Sequence, residues 1–142
     1  MKYDLLEKTT MSEAVILCVD DEVTILKSLE IELEDAFEDD YLYEFAETAD
    51  EALEIIQMLE EEGTPIILIV SDWLMPGMKG DELLINVHQK HPGIIKIMLT
   101  GQADEEAVGR AEKEANLHSC LYKPWNREEL IETIQSALAQ LS

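Results

Sequence analysis

The sequence predicts an α/β fold in which a five-stranded, doubly wound parallel sheet, in the order 2-1-3-4-5, is covered by five helices. Short apolar runs alternate along the chain with longer segments of helical periodicity. Three of these runs, at 14–19, 66–70 and 94–100, are almost continuously apolar, which is typical of strands buried on both faces of a parallel sheet. Right-handed crossovers between such strands place helices on both faces.

The first half of the chain predicts two strands and two helices. Strand 14–19 ends at Asp20-Asp21-Glu22, where a helix begins because acidic residues favour its positive end. The run 41–47 mixes aromatic residues with acids, which favours an edge strand. The second helix spans 50–62 and ends at Gly63, which readily adopts left-handed backbone angles. The residues predicted to face the core are Leu26, Leu29, Leu33, Phe37, Leu53, Ile56 and Leu59.

The central strand begins at Ile66 and runs into Asp72, with a proline before it and another after it. A helix is predicted over 81–91, and it is stopped by a Pro-Gly pair. The next strand spans 94–100 and is interrupted only by Lys96. The inward residues of the helix predicted over 81–91 are Leu83, Leu84 and Val87.

The last part of the chain predicts a weak helix, a strand and a final helix. The helix at 104–115 is expected to be the least firmly held, because its inward residues are mostly small and Gly109 costs about 1 kcal/mol relative to alanine. Asn116 ends it. The last strand spans 119–123, and Asn126 caps the final helix. The inward residues are Ala107, Val108, Ala111, Ala115, Leu130, Ile131, Ile134 and Leu138.

The 142 residues fit one domain, and a hydrophobic content of 46% supports a packed core. A net charge of −22 argues against direct binding to nucleic acid or to an anionic membrane. No apolar stretch approaches the ~20 residues of a membrane span, and no signal core is present. Cys18 and Cys120 are interpreted as reduced core thiols of a cytoplasmic protein, with a disulfide as the minor alternative. Residues 1–12 are expected to form an N-terminal extension.

Polar residues follow four predicted strands, and a parallel sheet brings such carboxyl ends to one edge, where α/β sheets bind ligands. These residues are Asp20, Asp21, Asp72, Thr100 and Lys123. Two like charges about 4 Å apart repel by about 4 kcal/mol at an effective dielectric constant of 20, so three converging carboxylates call for a cation. Oxygen ligands with room for water suit magnesium. The set suits phosphoryl transfer to Asp72, with Lys123 and Thr100 holding the product.

These residues lie in motifs through which the chain resembles a response-regulator receiver domain of two-component signalling, over residues 13–140. The motifs are Val19-Asp20-Asp21-Glu22, the stretch from Ser71 to Gly80, Leu99-Thr100-Gly101 and Tyr122-Lys123-Pro124-Trp125. In this order, each at a strand end, they are highly specific. The resemblance implies a flavodoxin-like fold and a receiver domain over 13–142.

By this resemblance Asp72 is the phosphoacceptor, Thr100 is the switch hydroxyl and Lys123 pairs with the phosphoryl group, next to a cis peptide before Pro124. The implied magnesium ligands are Asp20, Asp21, Asp72 and the backbone carbonyl of Leu74. The implied phosphodonor is a histidine kinase or a phosphotransfer protein. The domain is then a signalling phosphoacceptor rather than an enzyme, although it assists its own phosphorylation and dephosphorylation. Its output is self-association or docking of an output domain through the face formed by 100–125.

The sequence departs from the family pattern three residues before the lysine, where many receivers carry a tyrosine or phenylalanine that moves inward with the threonine. Cys120 occupies this position, so an aromatic flip is not available. Tyr122 is aromatic, but we expect it on the opposite face of the strand, where it could offer surface to a partner. We hypothesise that phosphorylation is read through Thr100 and the weak helix 104–115.

Other interpretations of these residues stay open. The fold could serve as an interaction module without phosphorylation, although such a module is expected to lose an acid or the lysine. A magnesium-dependent phosphatase with an aspartyl nucleophile usually carries two acids spaced two apart after the first strand, whereas Asp20 and Asp21 are adjacent. His88 and His91 are interpreted as a solvated helix end rather than a metal pair, because no third ligand is near. The sequence is equally consistent with Trp125 packing against the domain and with Trp125 forming surface for a partner.

Overall fold

A computed structural model describes residues 14–101 and 105–141, and these form the predicted five-stranded parallel sheet with five helices. The strands are β1 Val15–Val19, β2 Leu42–Ala46, β3 Ile66–Asp72, β4 Ile95–Thr100 and β5 Ser119–Tyr122. The helices are α1 Val23–Phe37, α2 Ala49–Glu62, α3 Gly80–Lys90, α4 Glu105–Glu114 and α5 Arg127–Ala139, with a short 3₁₀ turn at Glu38–Asp40. The predicted extension 1–12 and Asp104 lie outside the described residues.

The strand order is β2-β1-β3-β4-β5 and every pairing is parallel, which confirms the predicted fold class and the edge position of β2. The register pairs Val19 with Ser71, Asp72 with Leu99 and Thr100 with Tyr122. The carboxyl ends of the four strands that carry polar residues therefore lie side by side. None of the helices in the described ranges is long and apolar enough to cross a membrane.

The core has two layers, one on each face of the sheet. On one face, α2, α3 and α4 pack against strand residues such as Leu17 and Ile69. On the other face, α1 and α5 pack against residues such as Ile16 and Leu68. The strand side chains alternate between the two layers. The central strands are therefore buried on both sides, and β1 and β3 are apolar up to Ser71 and Asp72 at the end of β3.

Most of the predicted inward residues are buried, and the exceptions lie at the flanks of the helical stripes. Leu53, Val108, Ile131 and Leu138 are only partly buried. Ala52 and Ala137 are fully buried instead, although neither was among the predicted inward residues. Small residues allow closer contact between a helix and the sheet, and the larger neighbours then lie along the edge of the contact.

The predicted helix ends at Gly63 and Asn126 are present in the structure, and a cap at Thr48 that was not predicted joins them. The side chain of Thr48 accepts a hydrogen bond from the Glu51 amide at 3.0 Å, at the start of α2. Gly63 ends that helix with a φ of 75°, in the left-handed region. Asn126 caps α5, since its Oδ1 accepts from the Glu128 amide at 2.8 Å. Each cap satisfies backbone groups that would otherwise lack partners.

One core residue, Lys96 in β4, is charged and almost fully buried, with 1% of its surface exposed. Its Nζ lies 2.7 Å from Nδ1 of His88 and 3.3 Å from the carbonyl oxygen of Pro92. In the part of the chain that the structure describes, no carboxylate pairs with it. Burial lowers the pKa of Lys96 to about 8. His88, which was interpreted as part of a solvated helix end, is partly exposed, and its Nδ1 also contacts Lys96.

We predict that Lys96 makes the stability of the fold depend on pH in the alkaline range. The pKa is about 8 in the folded chain and 10.5 for an unperturbed lysine, so between these values the unfolded chain binds more protons. The free energy of unfolding of the native protein should therefore rise with pH from 8 to 10.5, relative to that of Lys96→Met.

Chemical denaturation at a series of pH values measures this difference. Lys27→Met removes a lysine from the exposed face of α1 and serves as the control. A difference between the native protein and Lys96→Met that stays constant with pH would contradict the prediction.

Candidate functional site

The carboxylates of Asp20, Asp21 and Asp72 converge at the carboxyl ends of β1 and β3. One oxygen from each residue lies within 4.8 Å of the others. Asp20 and Asp72 are buried, whereas Asp21 is exposed. The cluster is therefore closed on the side of the sheet and open to solvent at Asp21.

Asp20 also organises the start of α1. Its Oδ1 accepts a hydrogen bond from the Glu22 amide at 2.8 Å, and its own amide donates to the carbonyl of Ala46 at 3.0 Å. Glu22 precedes the helix, but its side chain does not cap it. Asp20 can therefore serve both the helix start and the ligand site. Its Oδ1 binds the Glu22 amide, and its Oδ2 contacts Lys123.

Lys123 supplies the positive charge at the centre of the cluster. Its Nζ lies 2.7 Å from Oδ2 of Asp20, 3.1 Å from Oδ1 of Asp72 and 3.9 Å from Oε1 of Glu22. The side chain is 13% exposed. Burial opposes the charge of Lys123, but the hydrogen bonds and charges of Asp20 and Asp72 raise its pKa overall. The lysine is therefore held as a cation between two buried acids.

One lysine does not neutralise three carboxylates. Burial, followed by the charge of Asp20, raises the pKa of Asp72 to about 6, although Lys123 acts in the opposite direction. The site thus retains an excess of negative charge that favours a further cation. Its donors are all carboxylate oxygens, and the exposed side leaves room for water, which fits a hard divalent ion such as Mg²⁺.

The ends of β4 and β5 are joined at this same edge. Thr100 is buried at the end of β4, and its carbonyl accepts a hydrogen bond from the Lys123 amide at 2.8 Å. The Lys123–Pro124 peptide is cis, as the family resemblance implied. Trp125 donates from Nε1 to Oε1 of Glu32 in α1 at 3.0 Å, so its ring takes part in packing.

The loop between β3 and α3 folds back on the end of β3. The Gly80 amide donates to the carbonyl of Trp73 at 2.7 Å, and a Cβ at Gly80 would lie 2.0 Å from the carbonyl oxygen of Asp72. Lys79 lies over the ring of Trp73, with Nζ 5.5 Å from its centroid. Leu74 lies in this loop with a half-exposed side chain, and the role of its carbonyl stays a prediction.

A second ion pair, which the sequence analysis did not identify, links α3 to α4. Asp81 is buried in the first turn of α3 and pairs with Arg110 of α4. Within the described residues, its Oδ1 has no hydrogen-bond partner. The inward faces of α3 and α4 are otherwise apolar, and α4 contributes mainly alanines. The only sequence signal was an acid two residues before the inward leucines of α3, and its partner is 29 residues away.

Cys120 lies three residues before Lys123, at the position where many receivers carry an aromatic switch residue. It is partly buried against the core layer beneath α4, and burial, followed by Glu112, raises its pKa. Tyr122 is 52% exposed. The expectation that Tyr122 lies on the opposite face from Cys120 is wrong, because residues two apart in a strand share a face. The two cysteines are free thiols, as predicted.

Comparison with known proteins gives a consistent result. A family model described as "Response regulator receiver domain" matches residues 16–135. The receiver domain of an HD domain-containing protein from Pseudomonas fluorescens Pf-5 is 31% identical, with a TM-score of 0.80, and the match covers 89% of this chain and 95% of that one. A CheY-like receiver from Methanospirillum hungatei JF-1 is 35% identical, with a TM-score of 0.78, and the match covers 89% and 94%.

Among curated proteins, the hydrogenase transcriptional regulatory protein HoxA of Cupriavidus necator is 30% identical over 126 residues. This alignment includes 89% of the present chain but only 24% of HoxA. The chain thus spans about a quarter of that relative, and the likeness concerns one domain of it.

We predict that Gly80 is required for the loop beside Asp72. A methyl group at Gly80 would overlap the backbone of β3, so Gly80→Ala should lower the free energy of unfolding by about 1–3 kcal/mol. Gly109→Ala is the matched control, because no atom lies within 4 Å of its added methyl and alanine favours a helix by about 1 kcal/mol. Chemical denaturation compares the two. Equal stabilities would show that the loop does not need a glycine.

Proposed function

The chain belongs to the response regulator receiver domain family, and from this premise we propose that it is a phosphoacceptor that takes a phosphoryl group on Asp72. The observation that carries the proposal is the contact of one lysine, Lys123, with two buried acids of a three-carboxylate cluster. Asp72 is the acid at the end of the central strand, and it has the cationic and acidic neighbours that the reaction needs.

In the proposed reaction, a carboxylate oxygen of Asp72 attacks phosphorus, and an acyl phosphate forms as the bond between phosphorus and the donor breaks. With a phosphohistidine donor, the electron pair of the broken bond returns to the imidazole nitrogen. Lys123 already contacts Oδ1 of Asp72 and would pair with the new phosphoryl oxygens. Attack by water on phosphorus breaks the bond to the Asp72 oxygen, which regenerates the carboxylate and releases phosphate. The proposal is that the domain assists this step as well as its phosphorylation.

Asp20, Asp21, Asp72 and the carbonyl of Leu74 would hold magnesium in this proposal. The bound ion neutralises charge on the transferred phosphoryl oxygens. Asp20 would keep its contact with the Glu22 amide, which holds the carboxylate at the start of α1. The exposed position of Asp21 leaves the open side of the cluster available to the phosphodonor.

The proposed donor is a histidine kinase or a phosphotransfer protein, and the proposed output is a change in affinity at the 100–125 face. That face could support self-association or docking of an output domain. HoxA is by its name a transcriptional regulatory protein, and this chain matches about a quarter of it. The proposal therefore gives this domain a regulatory role and leaves DNA contact to another part of such a protein, since the net charge here is −22.

Phosphorylation would reach that face through Thr100 and α4 rather than through an aromatic flip. Thr100 ends β4 directly before the segment that leads to α4. The buried surface of α4 consists of alanines, so few large side chains resist its movement. The ion pair between Asp81 and Arg110 links α4 to α3, and in this proposal a change at Thr100 would act against it.

We predict one phosphoryl adduct per chain after incubation with acetyl phosphate and Mg²⁺. The adduct should be lost in Asp72→Asn, which cannot form the acyl phosphate, and should need the metal. Asp50→Asn removes an equal charge from the exposed first turn of α2 and should leave phosphorylation unchanged. Intact mass spectrometry measures the adduct.

Folded protein that takes up no phosphoryl group from this donor would favour the alternative, an interaction module that works without phosphorylation. Continuous release of phosphate from a phosphate ester would favour the phosphatase instead.

We predict that phosphorylation changes amide hydrogen exchange in α4 by about tenfold or more, a free-energy change of about 1.4 kcal/mol in local opening. Thr100→Ala should remove the change, because the hydroxyl that would follow the phosphoryl group is absent. Exchange in α2 is the internal control. Unaltered exchange in α4 on full phosphorylation would exclude this helix as the route of the signal.

A further inference from the structure

The flank formed by α1, β2 and α2 carries an unusual distribution of charge. Between Lys27 and Lys79 the chain contains no lysine, arginine or histidine, but 16 acidic residues. This segment covers most of α1, all of β2 and all of α2. One side of the domain is therefore strongly acidic, whereas Arg110 and Lys113 lie on α4.

A groove with a volume of ≈ 660 Å³ lies on this flank, between α1 and the outer edge of the sheet. Its residues are of two kinds. Four carboxylates line one side, and four apolar or aromatic side chains line the other. The lining residues are Glu30, Glu34, Glu38, Asp39, Tyr41, Leu42, Tyr43 and Phe45. None of the four carboxylates forms an ion pair within the described residues, so their charge is available to a partner.

The groove is bordered by an open strand edge. Among the strands that the structure describes, β2 pairs with β1 and with no other. The Leu42 amide donates to Ala14, and the Ala46 carbonyl accepts from Asp20, so the even-numbered residues bond towards β1. In a parallel ladder the residues between them direct both backbone groups to the other side. The amides and carbonyls of Tyr43 and Phe45 therefore point outwards, in a position to pair with an added strand.

The Tyr43 ring of the groove is held in place, and its surroundings are negatively charged. The Tyr43 hydroxyl donates to the carbonyl of Glu38 at 2.8 Å, which fixes the ring between β2 and the end of α1. Burial, followed by Asp40 and Glu34, raises the pKa of Tyr43 to about 12. A lysine or arginine side chain that enters the groove would pack its methylene groups on these rings and bring its charge to the carboxylates.

We propose that this groove, together with the β2 edge, binds a basic, extended segment of a partner protein by strand addition. The backbone of the segment pairs with Tyr43 and Phe45, and alternate basic side chains reach Glu34 and Glu38. A second copy of this chain does not suit the groove, because its own flank has the same sign of charge. The site is separate from the carboxylates at the strand ends and does not depend on phosphorylation.

The test uses a fluorescein-labelled peptide of about eight alternating lysine and threonine residues, a length that spans β2. Fluorescence anisotropy should show binding of this peptide but not of its glutamate–threonine counterpart. The double variant Glu34→Gln/Glu38→Gln should weaken binding about tenfold, since two exposed ion pairs are lost. Asp72→Asn should bind as the native chain does, which separates this test from that of the proposed function.

The matched control is Glu61→Gln/Glu62→Gln, which removes the same charge from the exposed end of α2. It should leave binding nearly unchanged. Hydrogen exchange supplies the second readout, because strand addition should protect the Tyr43 and Phe45 amides. An equal loss in both double variants, or no protection of these amides, would overturn the proposal in favour of general charge attraction. Protection of the same amides by self-association without peptide would overturn it in favour of a second copy.

Discussion

The carboxyl edge of this domain depends on one electrostatic constraint, the repulsion among three carboxylates that the sheet brings together. Two such charges about 4 Å apart repel by about 4 kcal/mol at an effective dielectric constant of 20. Lys123 reduces this repulsion through contacts with Asp20 and Asp72, at 2.7 and 3.1 Å. It does not remove the repulsion, because burial, followed by the charge of Asp20, still raises the pKa of Asp72 to about 6. The remaining negative charge favours a further cation at this site.

Several features of the fold serve to hold these charges in register. The pairing of Val19 with Ser71 places Asp20 beside Asp72. The hydrogen bond between the Lys123 amide and Thr100 sets the lysine at the end of β5, next to a cis peptide. Behind the site, two apolar layers bury the central strands on both faces, so the strand ends cannot shift independently of the core.

Most of the fold and the polar cluster could be predicted from the sequence because their signals are local. The continuous apolar runs identify the buried strands, and the strand order then places Asp20, Asp72 and Lys123 at one edge. The partners of Lys96 and Asp81 could not be predicted, because each lies on another element and the pairing depends on how helices pack on the sheet. Strand alternation places Cys120 and Tyr122, which are two residues apart, on the same face. The sequence analysis predicted opposite faces, which was wrong.

The extent to which Lys123 compensates the charge of Asp20 and Asp72 can be measured through the free energy of unfolding with and without Mg²⁺. If the lysine and a metal ion compensate the same carboxylates, Lys123→Met should be less stable than the native chain without metal. Mg²⁺ should then stabilise the variant more than the native chain, because binding to the folded state adds stability that grows with affinity. Lys90→Met, at the exposed end of α3, is the control. Equal stabilisation of the native chain and Lys123→Met by Mg²⁺, or none in either, would contradict this account of the site.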